Sequence, residues 1–126
     1  MRLAKPRIMP LQDSELTLEQ QERISKSRQK DGSVLNIFRT LVRSPDAFRA
    51  FSWWGGYIMA RNSLSPRNRE IAILRVGWLC KSGYEWTQHH RIALQSGLDA
   101  AEIARIKTGA AAAHGLAGKA GQFGTF

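Results

Sequence analysis

The stretch "CKSGYEWTQHHRIA", residues 80–93, gathers a thiol, a hydroxyl, a carboxylate and two imidazoles within eleven positions. Helical spacing sorts them. Ser82, Glu85 and His89 share one face of a helix starting at Ser82, because residues three and four apart are surface neighbours. A carboxylate beside an imidazole can move a proton near neutral pH. The first turn of a helix adds unpaired N–H groups and a partial positive charge, which favour anions. Glu70, in the preceding apolar segment, can reach the same place from an antiparallel neighbour, so four polar groups would converge beside apolar walls.

The same residues also have a purely structural reading. Ser82-Gly83-Tyr84-Glu85 fits the capping box S-x-x-E, in which the serine takes a free N–H and the glutamate reaches back to the cap residue. Glu85 and His89 are then an ordinary i,i+4 pair. Cys80 ends an apolar run and reads as a small buried hydrophobe. Tyr84 and Trp86 read as core or interface aromatics, and His90 as a packing or surface residue. A metal centre is not expected. Adjacent His89 and His90 point roughly 100° apart on a helix, H-E-x-x-H is absent, and no cysteine pair exists for zinc.

These residues must be positioned by helices. The chain has 126 residues, of which 43% are apolar and 23% charged, which fits one domain with a real core. Pro6 and Pro10 make residues 1–16 an extended leader. Thr17 caps "LEQQERISKSRQ", which ends near Asp31-Gly32, and "SVLNIFRTLVR" follows. Ser44-Pro45 and Ser65-Pro66 each supply a cap and a first-turn proline. Ile71 to Cys80 is apolar on most sides, the pattern of a central buried helix. A helix from Tyr84 to about Ser96 closes at Gly97, and Asp99 with Glu102 opens the next. The all-α domain thus spans 17–108. Residues 109–126, Ala/Gly-rich and weakly patterned, read as a frayed tail. Three consecutive helices are expected over 66–107, the first two antiparallel about Lys81-Ser82-Gly83.

Composition excludes several classes. The net charge of +9 is spread evenly: eleven Lys/Arg against six Asp/Glu in residues 1–62, eight against four in 63–126. There is no basic arm, so no nucleic-acid partner is expected, whereas the positive field suits a small anionic substrate. No apolar run approaches the ~20 residues of a membrane span, and no secretory signal is present, so a cytoplasmic protein without membrane contact is expected. Cys80 is the single cysteine, which excludes an intramolecular disulfide.

Residues 64–106, "LSPRNREIAILRVGWLCKSGYEWTQHHRIALQSGLDAAEIARI", resemble the carboxymuconolactone decarboxylase family of the alkylhydroperoxidase D-like superfamily. The "LSPRxREIAILR" opening, the "YEWxQH" core and the "GLxxxEI" close carry the likeness, and "LNIFRTLVRSPDAFRAF" is similar to that family's lead-in helices. The resemblance implies an alkylhydroperoxidase D-like helical bundle, here a short version lacking the usual C-terminal helices, and a homo-oligomer with sites near subunit contacts. Redox relatives carry Glu-x11-Cys-x2-Cys-x3-His, and on this chain those positions hold Glu70, Ser82, Glu85 and His89. The dithiol is therefore missing, and a two-cysteine peroxidase cycle cannot run within one chain.

What the resemblance leaves is the acid–base set of the decarboxylase branch. It implies cofactor-independent chemistry, a decarboxylation or related step on a small carboxylate or lactone. His89 would donate the proton, Glu85 would orient or tune it, and Glu70 would position groups from the neighbouring helix. Ser82 and Trp86 would bind substrate, with Arg75 and Arg91 as possible anion contacts. Two alternatives stay open: a thiol peroxidase or peroxiredoxin-type role for Cys80, and a non-catalytic helical interaction protein.

Overall fold

The structure, a computed structural model, describes residues 4–109. Among them it is all-α: six helices, and no strand beyond an isolated bridge between Arg28 and Val34. Length alone suggested one domain; packing groups the chain into two compact units, Met1–Arg61 and Asn62–Phe126.

The first unit holds α1 (Leu18–Ser25), α2 (Asn36–Leu41) and α3 (Pro45–Ala60). Thr17 caps α1 in a closed box with Gln20. The helix stops at Ser25, short of the expected Asp31-Gly32. A tight turn intervenes, in which Gly32 takes a φ of 79° and Asp31 accepts the Ser33 N–H. Leu11, Leu16, Ile24, Val34, Val42 and Phe48 form the core. Residues 4–16 form no helix apart from a 3₁₀ turn at Asp13–Glu15, yet they are anchored. The Leu11 N–H donates to the Arg39 carbonyl (3.2 Å), while the Arg39 guanidinium donates to the Leu11 carbonyl (2.9 Å). The same guanidinium bonds Asp13 at 2.8 Å and holds that carboxyl below its ordinary value.

The second unit is built from α4 (Pro66–Leu79), α5 (Gly83–Gln95) and α6 (Ala100–Ile106), the three consecutive helices that the caps announced. Ser65, Ser82 and Asp99 each accept the N–H three residues on. Glu70 meets His89 and Gly77 lies against Glu85, a register that only antiparallel α4 and α5 can give. Leu74, Ala93, Leu98, Ile103 and Ile106 are the core, with Ile71 and Trp86 packed on it.

Two expectations fail here. The run from Ile71 to Cys80 is not buried on most sides: Val76 is 59% exposed and Leu79 62%. Its packing partners α5 and α6 cover a single stripe, Glu70, Leu74 and Gly77, which recurs at helical spacing. Cys80, past that stripe at the C-cap of α4, is exposed rather than buried. The tail reading falls on residues 110–126, which lie outside the described residues.

Candidate active site

The site is organised by the joint between α4 and α5. Lys81 takes a φ of 55°, the left-handed conformation that usually needs glycine. That bend lets the Ser82 N–H reach back to the Gly77 carbonyl (2.9 Å) and the Lys81 N–H to the Trp78 carbonyl (3.0 Å). Together they close a Schellman motif. Gly97 ends α5 in the same way, with Leu98 bonded to Ala93 and Gly97 to Leu94.

This joint decides what Glu85 does. Ser82 accepts the Glu85 N–H at 3.4 Å, which is one half of a capping box. The other half needs the Ser82 N–H, and that proton is already bonded to Gly77. The Glu85 carboxylate instead turns to His89 Nε2, at 3.3 Å. On the other side of the ring, Nδ1 stands 2.6 Å from Glu70 Oε2. Glu70 is fully buried, and its second oxygen accepts from Arg69 Nε at 3.0 Å. An ionised carboxyl in a dry place needs such partners, since an unpaired buried charge is costly. Arg69, Glu70, His89 and Glu85 therefore form one line, with Glu70 its fully buried member and Glu85 its most exposed. His89 is 14% exposed and Glu85 39%.

Glu85 also lines an open groove of about 410 Å³ on the α4 side. Ala72, Ile73, Val76 and Cys80 make its apolar wall, and Gly77 and Ser82 complete the end where Glu85 stands. Gly77 lies close by, and a Cβ there would stand in ordinary contact with the Glu85 stem at 3.5 Å.

The predicted residues do not all gather here. Glu70, Glu85, His89 and Ser82 come together. Trp86 lies elsewhere: its ring meets Trp78 edge-on (5.6 Å), and the Lys107 ammonium sits 5.0 Å from both rings. Arg75 is committed to structure, donating to the carbonyls of Ile106 and Lys107 at 2.9 Å each. Arg69 escaped the sequence reading. Its signal was available, since a carboxylate destined for a helix's inward stripe requires a nearby cation, and an arginine precedes Glu70 directly. Among the described residues, no three His, Cys, Asp or Glu side chains are grouped so as to hold a metal ion, and no helix is long and apolar enough to cross a membrane.

Comparison with known proteins bears on this arrangement. Residues 45–121, more than half the chain, match the carboxymuconolactone decarboxylase family. The chain belongs to that family. No curated protein and no solved structure matches it. Membership accounts for the all-helical, alkylhydroperoxidase D-like fold, and the matched span takes in α3 as well as the α4–α6 unit. Glu70, Glu85 and His89 all lie within it.

Proposed function

We propose that this chain catalyses cofactor-independent acid–base chemistry, a decarboxylation or related proton transfer, on a small lactone or carbonyl compound held in the α4–α5 groove. One observation carries the reading: His89 is held between two carboxylates, and one of them, Glu85, lines the groove. Because both ring nitrogens face carboxylates, Glu85 is the group that meets substrate and His89 is its proton partner. Glu70, fixed by Arg69, holds the imidazole in orientation.

The chemistry balances without a cofactor. In proton transfer, a Glu85 oxygen takes the proton from carbon beside a carbonyl, and the C–H electron pair passes to the carbonyl oxygen as an enolate. In decarboxylation the C–CO₂ bond of a carboxylate supplies that pair, CO₂ leaves, and carbon takes a proton from the Glu85–His89 pair, which solvent restores. The Ser82 hydroxyl, which spends a lone pair on the Glu85 N–H, still has its own proton to donate to the enolate oxygen. A positioned acid or base of this kind contributes roughly 10²–10⁴-fold.

The test is turnover on a panel of lactones, lactone carboxylates and ketones, read as CO₂ release and as solvent deuterium incorporation. Activity in the native chain that falls by about 10²-fold in Glu85→Gln supports the reading. Equal activity in both overturns it. A second reading makes Cys80, which lines the same groove, a peroxidatic thiol. Its resolving thiol would have to come from another molecule. We also propose that copies associate through Trp78 and Leu79, which are 44% and 62% exposed. A monomer by light scattering at all concentrations overturns that.

A further inference from the structure

We infer that the α4–α5 groove selects an uncharged, apolar-bodied carbonyl compound over an anionic carboxylate. The inference rests on the groove being the substrate site and narrows the chemistry done there. It runs against what the sequence suggested, a small anionic substrate met by Arg75.

The lining decides it. Among the described residues, none that lines the groove is Lys or Arg. Four cations of the same unit have other partners. Arg67 is paired with Glu102 and Arg69 with Glu70, while Arg75 holds the end of α6 and Lys107 lies against two tryptophans. Lys81 stands between two lining residues in sequence, yet it is not itself part of the lining. A carboxylate entering here would shed water against Ala72, Ile73 and Val76 and gain no counter-charge from the groove's own lining. It would also approach Glu85, whose like charge repels it. A ketone, ester or lactone meets neither obstacle. Its apolar body fits the wall, its carbonyl oxygen can accept from the Ser82 hydroxyl, and its adjacent carbon then faces Glu85.

The reaction class follows. A carboxylate lost as CO₂ must first be bound, and this groove disfavours it. Proton transfer beside a neutral carbonyl, an enolisation or an isomerisation, needs no such group. The C–H bond breaks, the proton goes to Glu85, where it exchanges with solvent, the electron pair rests on the carbonyl oxygen, and Glu85 returns a proton to carbon at its old or a conjugated position.

Phenylacetone and phenylacetate make a matched pair of probes, alike in shape and different in charge. Each is titrated into ¹⁵N-labelled protein while the amides of Ala72, Val76 and Glu85 are followed. Phenylacetone should shift these amides at concentrations at least about tenfold below phenylacetate, a modest ratio because Glu85 is partly solvated. Val76→Lys, which sets a cation in the wall, should reverse the order. Phenylacetate shifting the amides at an equal or lower concentration overturns the inference, and so does a groove that answers to neither probe. Deuterium exchange at the phenylacetone α-carbon separates the two proposals. Selective binding without accelerated exchange upholds the selectivity and sinks the acid–base reading, while exchange in a groove that prefers the anion does the reverse.

Discussion

Two helix starts in the second unit carry the same spacing and put it to different use. Asp99 and Glu102 open α6 with a closed capping box: the Glu102 N–H donates to Asp99 at 2.7 Å, and the Asp99 N–H donates back to Glu102 at 3.0 Å. Ser82 and Glu85 open α5 with half of one. The difference lies upstream. Before Asp99 the Schellman closure consumes the Leu98 N–H and leaves the cap residue's own N–H free. Before α5 the closure falls one residue nearer, on Ser82 itself, so Glu85 has no backbone proton to accept. A carboxylate released from capping is available for chemistry, and a captured one is structural. The distance between two motifs, here a single residue, decides which.

The sharpest way to break this contrast is to neutralise both glutamates and read turnover. Glu85→Gln should lower it by about 10²-fold or more, because the acid–base group is gone while the backbone is untouched. Glu102→Gln should leave turnover within about twofold, since glutamine still serves a box. Equal losses in the two variants would show that the open and closed boxes do the same work. His89→Ala is the blunter variant. It strands a buried Glu70 oxygen at a cost of about 1–3 kcal/mol, so folding and activity fall together.

Stability should invert the ranking. Glu102 is 8% exposed, accepts the Asp99 N–H and is paired with Arg67. Glu102→Ala forfeits a charged hydrogen bond and leaves Arg67 without that partner, for about 2 kcal/mol. Glu85→Ala gives up a half-exposed i,i+4 pair worth a few tenths, roughly 0.5 kcal/mol at most. Urea unfolding of both variants checks this. A Glu85→Ala cost matching that of Glu102→Ala would mean that Glu85 is a structural cap after all.

The contrast also marks where sequence reasoning stops. Thr17, Ser65, Ser82 and Asp99 were all legible as caps, because cap chemistry is local and the apolar period starts just after each one. Glu70, Glu85 and His89 were legible as a group, because helical spacing and an antiparallel turn suffice to bring them together. The half-open box was not. It depends on a lysine in a left-handed conformation, and nothing in "CKSG" announces one when Gly83 stands two positions later as the more obvious candidate. The exposed flank of α4 was hidden for another reason. Ile71 to Cys80 carries apolar residues on several sides, and composition does not say how many neighbours a helix has. Arg75 misled because an arginine near a site looks like an anion contact until the carbonyls it caps are seen.

Lys81 itself offers a smaller test. Glycine adopts its φ of 55° without the steric penalty of a side chain, so Lys81→Gly should stabilise the chain by about 1 kcal/mol. Turnover should hold, because the Ser82 N–H stays with Gly77 and Glu85 stays released. Lys81→Val, which resists that conformation, should weaken the joint and free the Ser82 N–H to recapture Glu85. Activity should then fall in Lys81→Val and persist in Lys81→Gly. The same activity in both would detach the function from the joint.

The smallest effect is expected one residue earlier. Cys80 lines the groove beside the released carboxylate, and its exposure removes the simplest objection to a reactive thiol. Two considerations still make it a bystander. It sits at the C-cap of α4 with an ordinary helical backbone, so serine replaces it without strain. A peroxide cycle, moreover, must pass its sulfenic acid to a second thiol, and the sequence holds no other cysteine. Cys80→Ser should therefore change stability by less than about 0.5 kcal/mol, as a surface substitution does. It should also leave proton-transfer turnover unaltered. Hydroperoxide consumption, followed with an external dithiol as reductant, provides the opposing measurement. Consumption present in the native chain and absent from Cys80→Ser would move the chemistry from the carboxylate to the sulfur, and Glu85 would then be a neighbour that tunes a thiol.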